Sequence, residues 1–287
     1  MEKNMNNFLV YQTDFGTADG AVSAMYGVAL QVEPTLRIFD LTHDIPRYNI
    51  WEASYRLVQT VQYWPAGTVF VSVVDPGVGT NRLSVAVKTK QGHIIVTPDN
   101  GTLTHVNLLY GVEEARVLNE SENRLSGSEL SYTFHGRDVY AYTGARLAAH
   151  KVNFSEIGPE INSKQLVSLD LIPAYEDENK NIHGTIDVLD VRFGSLWSNI
   201  PYTLFKNLNI DYGKKLAVSI RNDRRQVYAN TMVYARSFAD VSMGEPLVYI
   251  NSLLNVAIAI NQGSFAQAYN IGCGQSWKLE LAKIQTL

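Results

Sequence analysis

The sequence predicts an α/β protein of two domains, in which a mixed, mostly parallel sheet with helices on both faces precedes a smaller all-β domain. The chain has 287 residues, and a domain with a single hydrophobic core is usually shorter than this. In the first half, strand-like apolar runs alternate with helix-like segments, which is typical of crossover units in a parallel sheet. Later, short alternating runs are separated by turn signals, and no long amphipathic helix is predicted.

The first domain is expected to span residues 1–165. Its strands are predicted at 8–13, 36–42, 68–75, 83–89 and 93–99, and its helices at 20–32, 50–64 and 136–150. The last two strands are joined by a tight turn at Gln91 and Gly92. They should therefore run antiparallel, which makes the sheet mixed.

The composition changes after residue 165. Residues 166–180 are acidic and polar and contain Pro173, which is typical of a linker. Short alternating runs follow at 185–191, 215–220, 226–235, 246–250 and 276–281. The second domain, 181–287, is therefore expected to be a small β-barrel or β-sandwich.

The composition limits the classes of protein to consider. With 24 Lys and Arg against 28 Asp and Glu, the formal net charge is −4, and 46% of the residues are apolar. These values exclude an intrinsically disordered chain and a basic nucleic-acid-binding protein. Charged residues make up 18% of the chain, below the roughly 25% of ordinary soluble domains, so we expect other copies of the chain to cover part of the surface.

The sequence shows no recognisable targeting segment and contains one cysteine. No apolar stretch is long enough to span a membrane, and the first residues lack the apolar core and cleavage site of a signal peptide. We therefore expect a cytoplasmic protein without a membrane partner. Cys273 is the one cysteine, which excludes an internal disulfide and favours a packing role.

Common catalytic signatures are missing from the sequence. It has no phosphate-binding P-loop, no complete G-x-G-x-x-G, no G-x-S-x-G and no H-E-x-x-H, so kinases, dinucleotide dehydrogenases, serine hydrolases and zinc proteases are disfavoured. Instead, polar clusters follow predicted strands or open a helix, at 13–20, 75–82, 98–101 and 133–138. Because the carboxyl ends of strands in an open α/β sheet border the ligand crevice, these clusters are expected to converge there.

Each cluster also has a purely structural interpretation. Asp14 ends a strand and can bind the backbone of its own turn. Residues 98–101 form a strong turn sequence, and the structural interpretation is favoured there. His135 opens a helix with an arginine and an aspartate within three residues, so packing and function are equally supported. His43 is flanked by aspartates, but their spacing does not favour a metal site.

The clusters taken together resemble one enzyme family. In order along the chain they read YQTDFG, DLTHDIP, VDPGVGTNR, PDNG and TFHGRD. This series resembles the S-adenosyl-L-methionine (SAM) hydroxide adenosyltransferase family, related to the bacterial enzymes that make 5′-fluoro- and 5′-chloro-5′-deoxyadenosine. The resemblance continues through IDVLDVRFGSLWSNI (186–200) and YINSLLNVAIAINQGSFA (249–266), so it extends over nearly the whole chain.

The resemblance implies a fold, an assembly and a reaction. The fold is an N-terminal α/β domain joined to a C-terminal β-barrel. The assembly is a homotrimer with sites between the first domain of one subunit and the second domain of its neighbour. The reaction is hydrolysis of SAM to adenosine and L-methionine by displacement at the ribose 5′ carbon. No metal and no organic cofactor are implied.

By the same resemblance, the chemistry is assigned to Asp75, Arg82 and His135. When water attacks a sulfonium in line, the leaving group departs as a neutral thioether and needs no general acid. The enzyme must orient the water and remove its proton. Asp75 and His135 are expected to bind and polarise the water, while Arg82 holds the carboxylate. Which of the two takes the proton stays open.

Substrate contacts are assigned in the same way. Asp14 is expected to accept hydrogen bonds from both ribose hydroxyls, and Tyr48 and Phe193 to stack on adenine. Asp19 and Asp190 match the positions that bind the methionine ammonium. The other expected contacts are Phe134 and Gly136 beside the catalytic histidine, Ser195, Asn261 and Gln262 at the adenine edge, and Ser252 near the methionine carboxylate.

Departures from the halogenating relatives favour water as the nucleophile. Those enzymes carry a tyrosine at the position of Asp75 and a serine at that of Gly136, so the halide pocket is missing here. They also carry arginines at the positions of Leu253 and Ile260. Two alternatives stay open, a protein that binds SAM or adenosine without turnover and a metal-dependent phosphohydrolase.

Overall fold

The computed structural model describes residues 6–284, and the chain divides into two compact units between Leu169 and Asp170. Each unit has its own hydrophobic core. The division falls inside the segment 166–180. Among residues 6–284, no helix is long and apolar enough to cross a lipid bilayer.

The first unit contains a sheet of seven strands. These strands are β1 (Phe8–Thr13), β2 (Arg37–Thr42), β3 (Val69–Val73), β4 (Ser84–Thr89), β5 (Ile94–Pro98), β6 (Val112–Val117) and β7 (Glu160–Ile161). The α-helices are α1 (Ala21–Val32), α2 (Ile50–Val61), α3 (Thr104–Leu109) and α4 (Tyr142–Ala148). A π-helical turn, Gly136–Ala141, leads directly into α4.

Parallel pairing dominates one side of this sheet. Strands β2, β1, β3 and β5 pair in parallel in that order, β4 runs antiparallel between β5 and β6, and β7 pairs antiparallel with β6. Successive strand residues point to opposite faces. Leu9 and Val71 pack with α1 and α4, whereas Val10 and Phe70 pack with α2 and α3. The predicted mixed sheet with helices on both faces is therefore confirmed.

Helix α3 and strands β6 and β7 of the first unit were not predicted. Helix α3 has six residues, too few for an amphipathic pattern to repeat. Strand β6 reads VEEARV, and its charged residues hide the alternation of a half-buried strand. The helix predicted at 136–150 starts with the π-helical turn instead of a regular α-helical turn.

The second unit is a closed β-barrel. Its strands are β8 (Tyr175–Glu176), β9 (Ile182–Leu189), β10 (Leu196–Pro201), β11 (Lys215–Asn222), β12 (Arg225–Tyr234), β13 (Pro246–Ile250), β14 (Asn255–Ile260) and β15 (Gly274–Lys283), and its α-helices are α5 (Tyr202–Phe205) and α6 (Phe265–Tyr269). The ring runs β10-β14-β13-β12-β11-β15-β9 and closes where β9 pairs with β10. Short strand β8 pairs with β9 outside the ring. The alternation of apolar and polar residues in the sequence was compatible with a barrel and with a sandwich. The pairing of β9 with β10 closes the ring and shows that the fold is a barrel.

Candidate active site

A cavity of about 400 Å³ lies at the carboxyl ends of the parallel strands in the first unit. Asp14 directly follows β1, Tyr48 lies in the loop after β2, and Asp75 comes two residues after β3. Because these strands are parallel neighbours, their ends place the three residues along one edge of the sheet. The remaining lining residues are Phe15, Asp19, Ala21, Arg47 and Phe134. The structure thus brings together three of the four polar clusters found in the sequence.

The fourth cluster, 98–101, does not line this cavity and fixes the chain beside it. Nδ2 of Asn100 donates a hydrogen bond to the carbonyl oxygen of Val74 at 2.8 Å, next to Asp75. A carboxylate oxygen of Asp99 accepts from the N–H of Val167 at 2.9 Å. These contacts agree with the turn interpretation favoured for Pro-Asp-Asn-Gly.

Asp14 and Asp19 both accept hydrogen bonds from the backbone. Oδ2 of Asp14 accepts from the N–H of Tyr48 at 2.8 Å, which joins the loops after β1 and β2. Tyr48 has a left-handed φ of 66° and is 70% exposed. Oδ1 of Asp19 accepts from the N–H of Ala21 at 2.9 Å, at the start of α1. Asp14 therefore holds a neighbouring loop and lines the cavity, so its structural and ligand-binding roles are compatible.

Asp75 and Arg82 form a largely buried ion pair. Nε of Arg82 lies 2.8 Å from Oδ1 of Asp75, and Nη2 lies 2.5 Å from Oδ2. The side chains are 6% and 10% exposed, respectively. Gly79, with a φ of 79°, helps to turn the loop back so that Arg82 reaches the carboxylate. Burial is the largest single influence on Arg82 and opposes its charge. The hydrogen bonds to Asp75 and the electrostatic interactions with Tyr140, Asp75 and Glu120 together outweigh burial, so the pKa of Arg82 is raised.

A hydrogen-bond network extends from this ion pair to His135. Nη1 of Arg82 donates to Oγ of Ser84 at 3.0 Å, and Ser84 donates to Oε1 of Glu120 at 2.6 Å. Oε2 of Glu120 lies 3.3 Å from Nε2 of His135. The hydrogen bond with His135 lowers the pKa of Glu120 to about 2 despite partial burial, and Ser84 and Arg82 add to the shift. Sequence reasoning missed Ser84 and Glu120, because neither belongs to a recognisable motif.

His135 is 3% exposed and directly precedes the π-helical turn. Its Nε2 also lies 3.1 Å from Nη2 of Arg124, while Nδ1 has no hydrogen-bond partner among the described residues. The next residue, Gly136, packs against aromatic rings, since a Cβ there would lie 3.0 Å from Phe15 and 3.2 Å from Phe134. A serine at this position would force those rings to move.

His43 connects the ends of β1 and β2. Its Nδ1 lies 2.8 Å from Oγ1 of Thr13, and its Nε2 lies 2.9 Å from Oδ1 of Asp40. The Tyr26 hydroxyl donates to the same oxygen of Asp40, and burial together with that bond raises the pKa of Tyr26. Among residues 6–284, no group of three or more His, Cys, Asp or Glu side chains is placed to hold a metal ion. The DLTHDIP segment thus fixes the loop that carries Asp14.

A second cavity, of about 600 Å³, lies in the barrel unit. Four predicted site residues line it, namely Phe193, Ser195, Asn261 and Gln262. Arg192, Phe238, Ile260, Gly263 and Ser264 complete the lining. Phe193 is 71% exposed, whereas Ser195 is 2% exposed. The cavity therefore combines an exposed aromatic ring with polar groups fixed near its wall.

The turn after β9 determines how Phe193 is presented. Oδ1 of Asp190 accepts from the N–H groups of Arg192 and Phe193 at 3.0 and 3.1 Å. Gly194 has a φ of 65°, and a Cβ there would lie 1.9 Å from Oγ of Ser264. Only glycine fits this position without displacing the chain. Asp190 holds the turn, and Gly194 lets it pack against the segment before α6.

Ser252 lines neither of these two cavities. It is exposed in the turn between β13 and β14. Oδ1 of Asn251 fixes this turn by accepting from the N–H groups of Leu253 and Asn255 at 2.9 and 3.0 Å. The structure therefore separates the predicted residues into one set in each unit, and Ser252, in the barrel unit, lines neither cavity.

Two family models match the chain. The SAM hydroxide adenosyltransferase N-terminal domain matches residues 9–158, and the C-terminal domain of the same family matches residues 184–278. The chain belongs to the SAM hydroxide adenosyltransferase family. The resemblance inferred from the ordered motifs is thereby confirmed.

Similar proteins include both hydrolases and a halogenating enzyme. The (R)-S-adenosyl-L-methionine hydrolase of Salinispora tropica is 35% identical, covering 93% of this chain and 95% of that one. The protein of the same name from Thermus thermophilus is 30% identical, covering 94% and 98%. The fluorinase of Actinoplanes sp. is 28% identical, covering 96% and 97%. The solved structure of an uncharacterized conserved protein from Thermotoga maritima has a TM-score of 0.85 and 32% identity, covering 96% and 100%.

Proposed function

We propose that this member of the family hydrolyses SAM to adenosine and L-methionine, with water or hydroxide attacking the ribose 5′ carbon. The observation that carries the proposal is the buried pair of Asp75 and Arg82 beside Asp14 at one cavity. A carboxylate held by arginine accepts hydrogen bonds from water and repels a halide ion. The relatives named (R)-S-adenosyl-L-methionine hydrolase support the same reaction.

The proposed reaction depends mainly on orienting one water molecule. Methionine leaves as a neutral thioether, so no group has to protonate it. Asp75, fixed by hydrogen bonds from Arg82 to both of its carboxylate oxygens, orients the water in line with the bond between carbon and sulfur. Asp75 and His135 share the binding and polarisation of this water. The step needs no metal ion and no organic cofactor.

We assign the sugar and the amino acid of the substrate, and one stacking contact with adenine, to the first cavity. Asp14 binds the ribose hydroxyls, because its carboxylate lines the cavity and is fixed from the side of Tyr48. Tyr48 stacks on adenine with its exposed ring. Asp19 provides negative charge for the methionine ammonium on the same cavity.

We assign adenine recognition to the barrel unit. The exposed ring of Phe193 provides a stacking surface, and Ser195, Asn261 and Gln262 line the same cavity with polar groups. Asp190 adds a carboxylate in the adjoining turn, and Ser252 is assigned to the methionine carboxylate. We further propose that the chain acts in the cytoplasm as a homotrimer, in which the first cavity of one subunit and the barrel cavity of its neighbour form each complete site.

Halogenation is the second candidate reaction, favoured by the 28% identity to a fluorinase. Two observations argue against it. Asp75 places negative charge where a halide would bind, and a side chain at Gly136 would press on the rings of Phe15 and Phe134. We therefore expect no 5′-chloro-5′-deoxyadenosine from SAM and chloride.

The proposal is tested by incubating the purified chain with SAM and resolving the products by chromatography. We expect adenosine and methionine in equal amounts, unchanged by added chloride or by excess EDTA. A chain that binds SAM without forming adenosine would be the non-catalytic binder. Chlorinated product at a rate near that of adenosine formation would overturn the assignment of Asp75, and loss of activity in EDTA would favour a metal-dependent enzyme.

A further inference from the structure

Glu120 connects the two parts of the proposed catalytic group, although it belongs to none of the ordered motifs. Its Oε1 accepts a hydrogen bond from Ser84 at 2.6 Å and lies 3.8 Å from Nη1 of Arg82. Its Oε2 lies 3.3 Å from Nε2 of His135. The carboxylate thus reaches the ion pair through one oxygen and the histidine through the other.

We propose that Glu120 is a positioning residue for hydrolysis, which holds the proton of neutral His135 on Nε2 and leaves Nδ1 to take the proton of the attacking water. This inference rests on the proposed function. It assigns the proton, which the sequence left open between Asp75 and His135, to His135. Asp75 then orients the water without accepting its proton.

The two neighbours of Nε2 make opposite demands on it. Nη2 of Arg124 lies 3.1 Å away and can only donate, whereas Oε2 of Glu120 lies 3.3 Å away and can only accept. Arg124 has other partners: its Nη1 donates to the carbonyl oxygen of Ser131 at 3.3 Å, its guanidinium lies over the ring of Tyr132, and its Nη2 lies 3.8 Å from Oε2 of Glu120. Oε2 of Glu120 gains a charge-assisted hydrogen bond only if Nε2 carries a proton. The proton on Nε2 therefore satisfies the carboxylate, and Arg124 keeps its remaining contacts.

The other ring nitrogen is the one that lacks a partner. Nδ1 of His135 is buried and has no hydrogen-bond partner among residues 6–284. Buried polar atoms in native proteins are nearly always hydrogen-bonded, so this atom is expected to bind a group that arrives with the substrate or as water. With the proton on Nε2, Nδ1 carries the lone pair that such a group can protonate.

The charges around the imidazole favour this role. The pKa of Glu120 is lowered to about 2, first by its hydrogen bond with His135, so Glu120 is ionised at neutral pH. Arg124 and Tyr132 face the same histidine, and Arg82 and Tyr140 reach it through Ser84 and Glu120. Among these groups, only the carboxylate of Glu120 can accept a hydrogen bond from Nε2 and also stabilise the imidazolium that forms when Nδ1 takes a proton.

The step balances without a further reagent. Nδ1 takes one proton of the water as its oxygen bonds to the 5′ carbon and the bond from that carbon to sulfur breaks. The electron pair of that bond stays on sulfur, which gives neutral methionine. His135 then releases its added proton to solvent.

The kinetic test compares Glu120→Gln with Glu122→Gln, an exposed carboxylate two residues away in the same loop. Glutamine keeps the shape of Glu120 but can present its NH₂ group to Nε2 and select the other tautomer. We expect Glu120→Gln to lower kcat roughly tenfold or more while KM changes less than several-fold. Because Glu120→Gln removes the negative charge beside the imidazole, the dependence of kcat on pH should also differ from that of the wild type. Glu122→Gln should match the wild type.

Equal kcat values and equal pH profiles for the two variants would overturn the inference while leaving the hydrolase assignment intact. If the wild-type chain formed no adenosine from SAM, the proposed function itself would fail. These two failures are therefore distinguishable.

A second measurement uses the wild-type chain and does not depend on how a variant folds. Nitrogen-15 NMR of labelled histidine distinguishes the two neutral tautomers, and the signals of His135 are assigned by their loss in His135→Ala. We expect the form with the proton on Nε2 at a pH where the ring is neutral. The form with the proton on Nδ1 would overturn the inference, whatever the kinetics of Glu120→Gln.

Discussion

The two cavities differ in how their polar groups are satisfied. At the first cavity, Asp75 is bound by Arg82, and a further carboxylate, Glu120, belongs to the same network. At the barrel cavity, an exposed ring of Phe193 projects from a turn whose backbone N–H groups are bound by Asp190. Charged side chains that fix one another are suited to orienting a water and moving a proton. An exposed ring on a rigid turn is suited to binding a flat base. We therefore infer that the first unit provides the chemistry and its own substrate contacts, while the second unit contributes binding of adenine.

The largest expected effect comes from removing charge at the first cavity. Asp75→Asn should lower turnover roughly a hundredfold or more, because the oriented water loses its anionic partner, and His135→Ala should do the same. Substrate affinity should stay within several-fold. Single-turnover rates alongside calorimetric titration measure the two effects separately.

A matched control for Asp75→Asn is Asp44→Asn, an exposed aspartate in the loop after β2 that lines neither cavity. We expect wild-type turnover from it. Full activity of Asp75→Asn would contradict a catalytic role for the ion pair of Asp75 and Arg82. Complete loss of SAM binding would place Asp75 among the substrate contacts instead.

The next effect separates binding from chemistry within the first cavity. Asp14→Ala should weaken binding of both SAM and adenosine by about 1.5 to 3 kcal/mol, the usual scale for hydrogen bonds to a charged group. This corresponds to roughly 10- to 150-fold in Kd. Calorimetric titration with adenosine, which lacks the reacting sulfonium, isolates the ribose contact. Unchanged adenosine affinity would show that Asp14 only holds the loop of Tyr48.

A third substitution disturbs recognition in the barrel without touching the first unit. Gly194→Ala places a Cβ 1.9 Å from Oγ of Ser264 at a φ of 65°, so the turn that carries Phe193 has to move. We expect weaker adenosine binding and a loss of about 1 to 3 kcal/mol in the free energy of unfolding.

Gly213→Ala is the control for backbone strain, since Gly213 has a φ of 80° and no atom lies within 4 Å of the position that a Cβ would take there. It should destabilise the barrel less than Gly194→Ala and leave adenosine binding unchanged. Equal effects from the two substitutions would mean that the contact with Ser264 is unimportant.

The smallest expected effect is an opposite response of the two units to pH. The pKa of Glu120 is lowered from 4.5 to about 2, so its contribution to stability is present above pH 4.5 and is lost as the pH falls toward 2. Burial raises the pKa of Asp187, on β9 of the barrel, from 3.8 to about 7 against the opposing bond from Thr185. The contribution of protonated Asp187 to stability is therefore present below pH 3.8 and is lost as the pH rises through 7.

Thermal unfolding of two variants at several pH values tests these signs. Glu120→Gln should lower the unfolding temperature above pH 4.5 and have little effect near pH 2. Asp187→Asn should raise it at pH 8 by roughly a few degrees and have little effect below pH 3.8. The same sign of effect from both variants at pH 8 would contradict the comparison.

Local patterns in the sequence were sufficient to predict that Asp14 and Asp75 lie at the first cavity and that Arg82 lies beside Asp75. Asp14 and Asp75 each follow a strand of a parallel sheet, and that topology alone places them at one edge. Arg82 is seven residues from Asp75 in a loop with two glycines, so its return to the carboxylate is a local matter.

Contacts between distant segments could not be found in this way. Glu120 is 36 residues from Ser84 and 15 from His135, and it lies in a polar loop without periodicity or motif. The barrel's closing pair, β9 with β10, has the same period-two alternation that an open sandwich would have, so the residues alone did not distinguish the two folds.

Isotope labelling tests displacement at the 5′ carbon most directly. The purified chain is incubated with SAM in water enriched in oxygen-18, and the products are analysed by mass spectrometry. We expect one labelled oxygen on the 5′ carbon of adenosine and none in methionine. Unlabelled adenosine, or label in homoserine, would contradict attack of water on the ribose carbon.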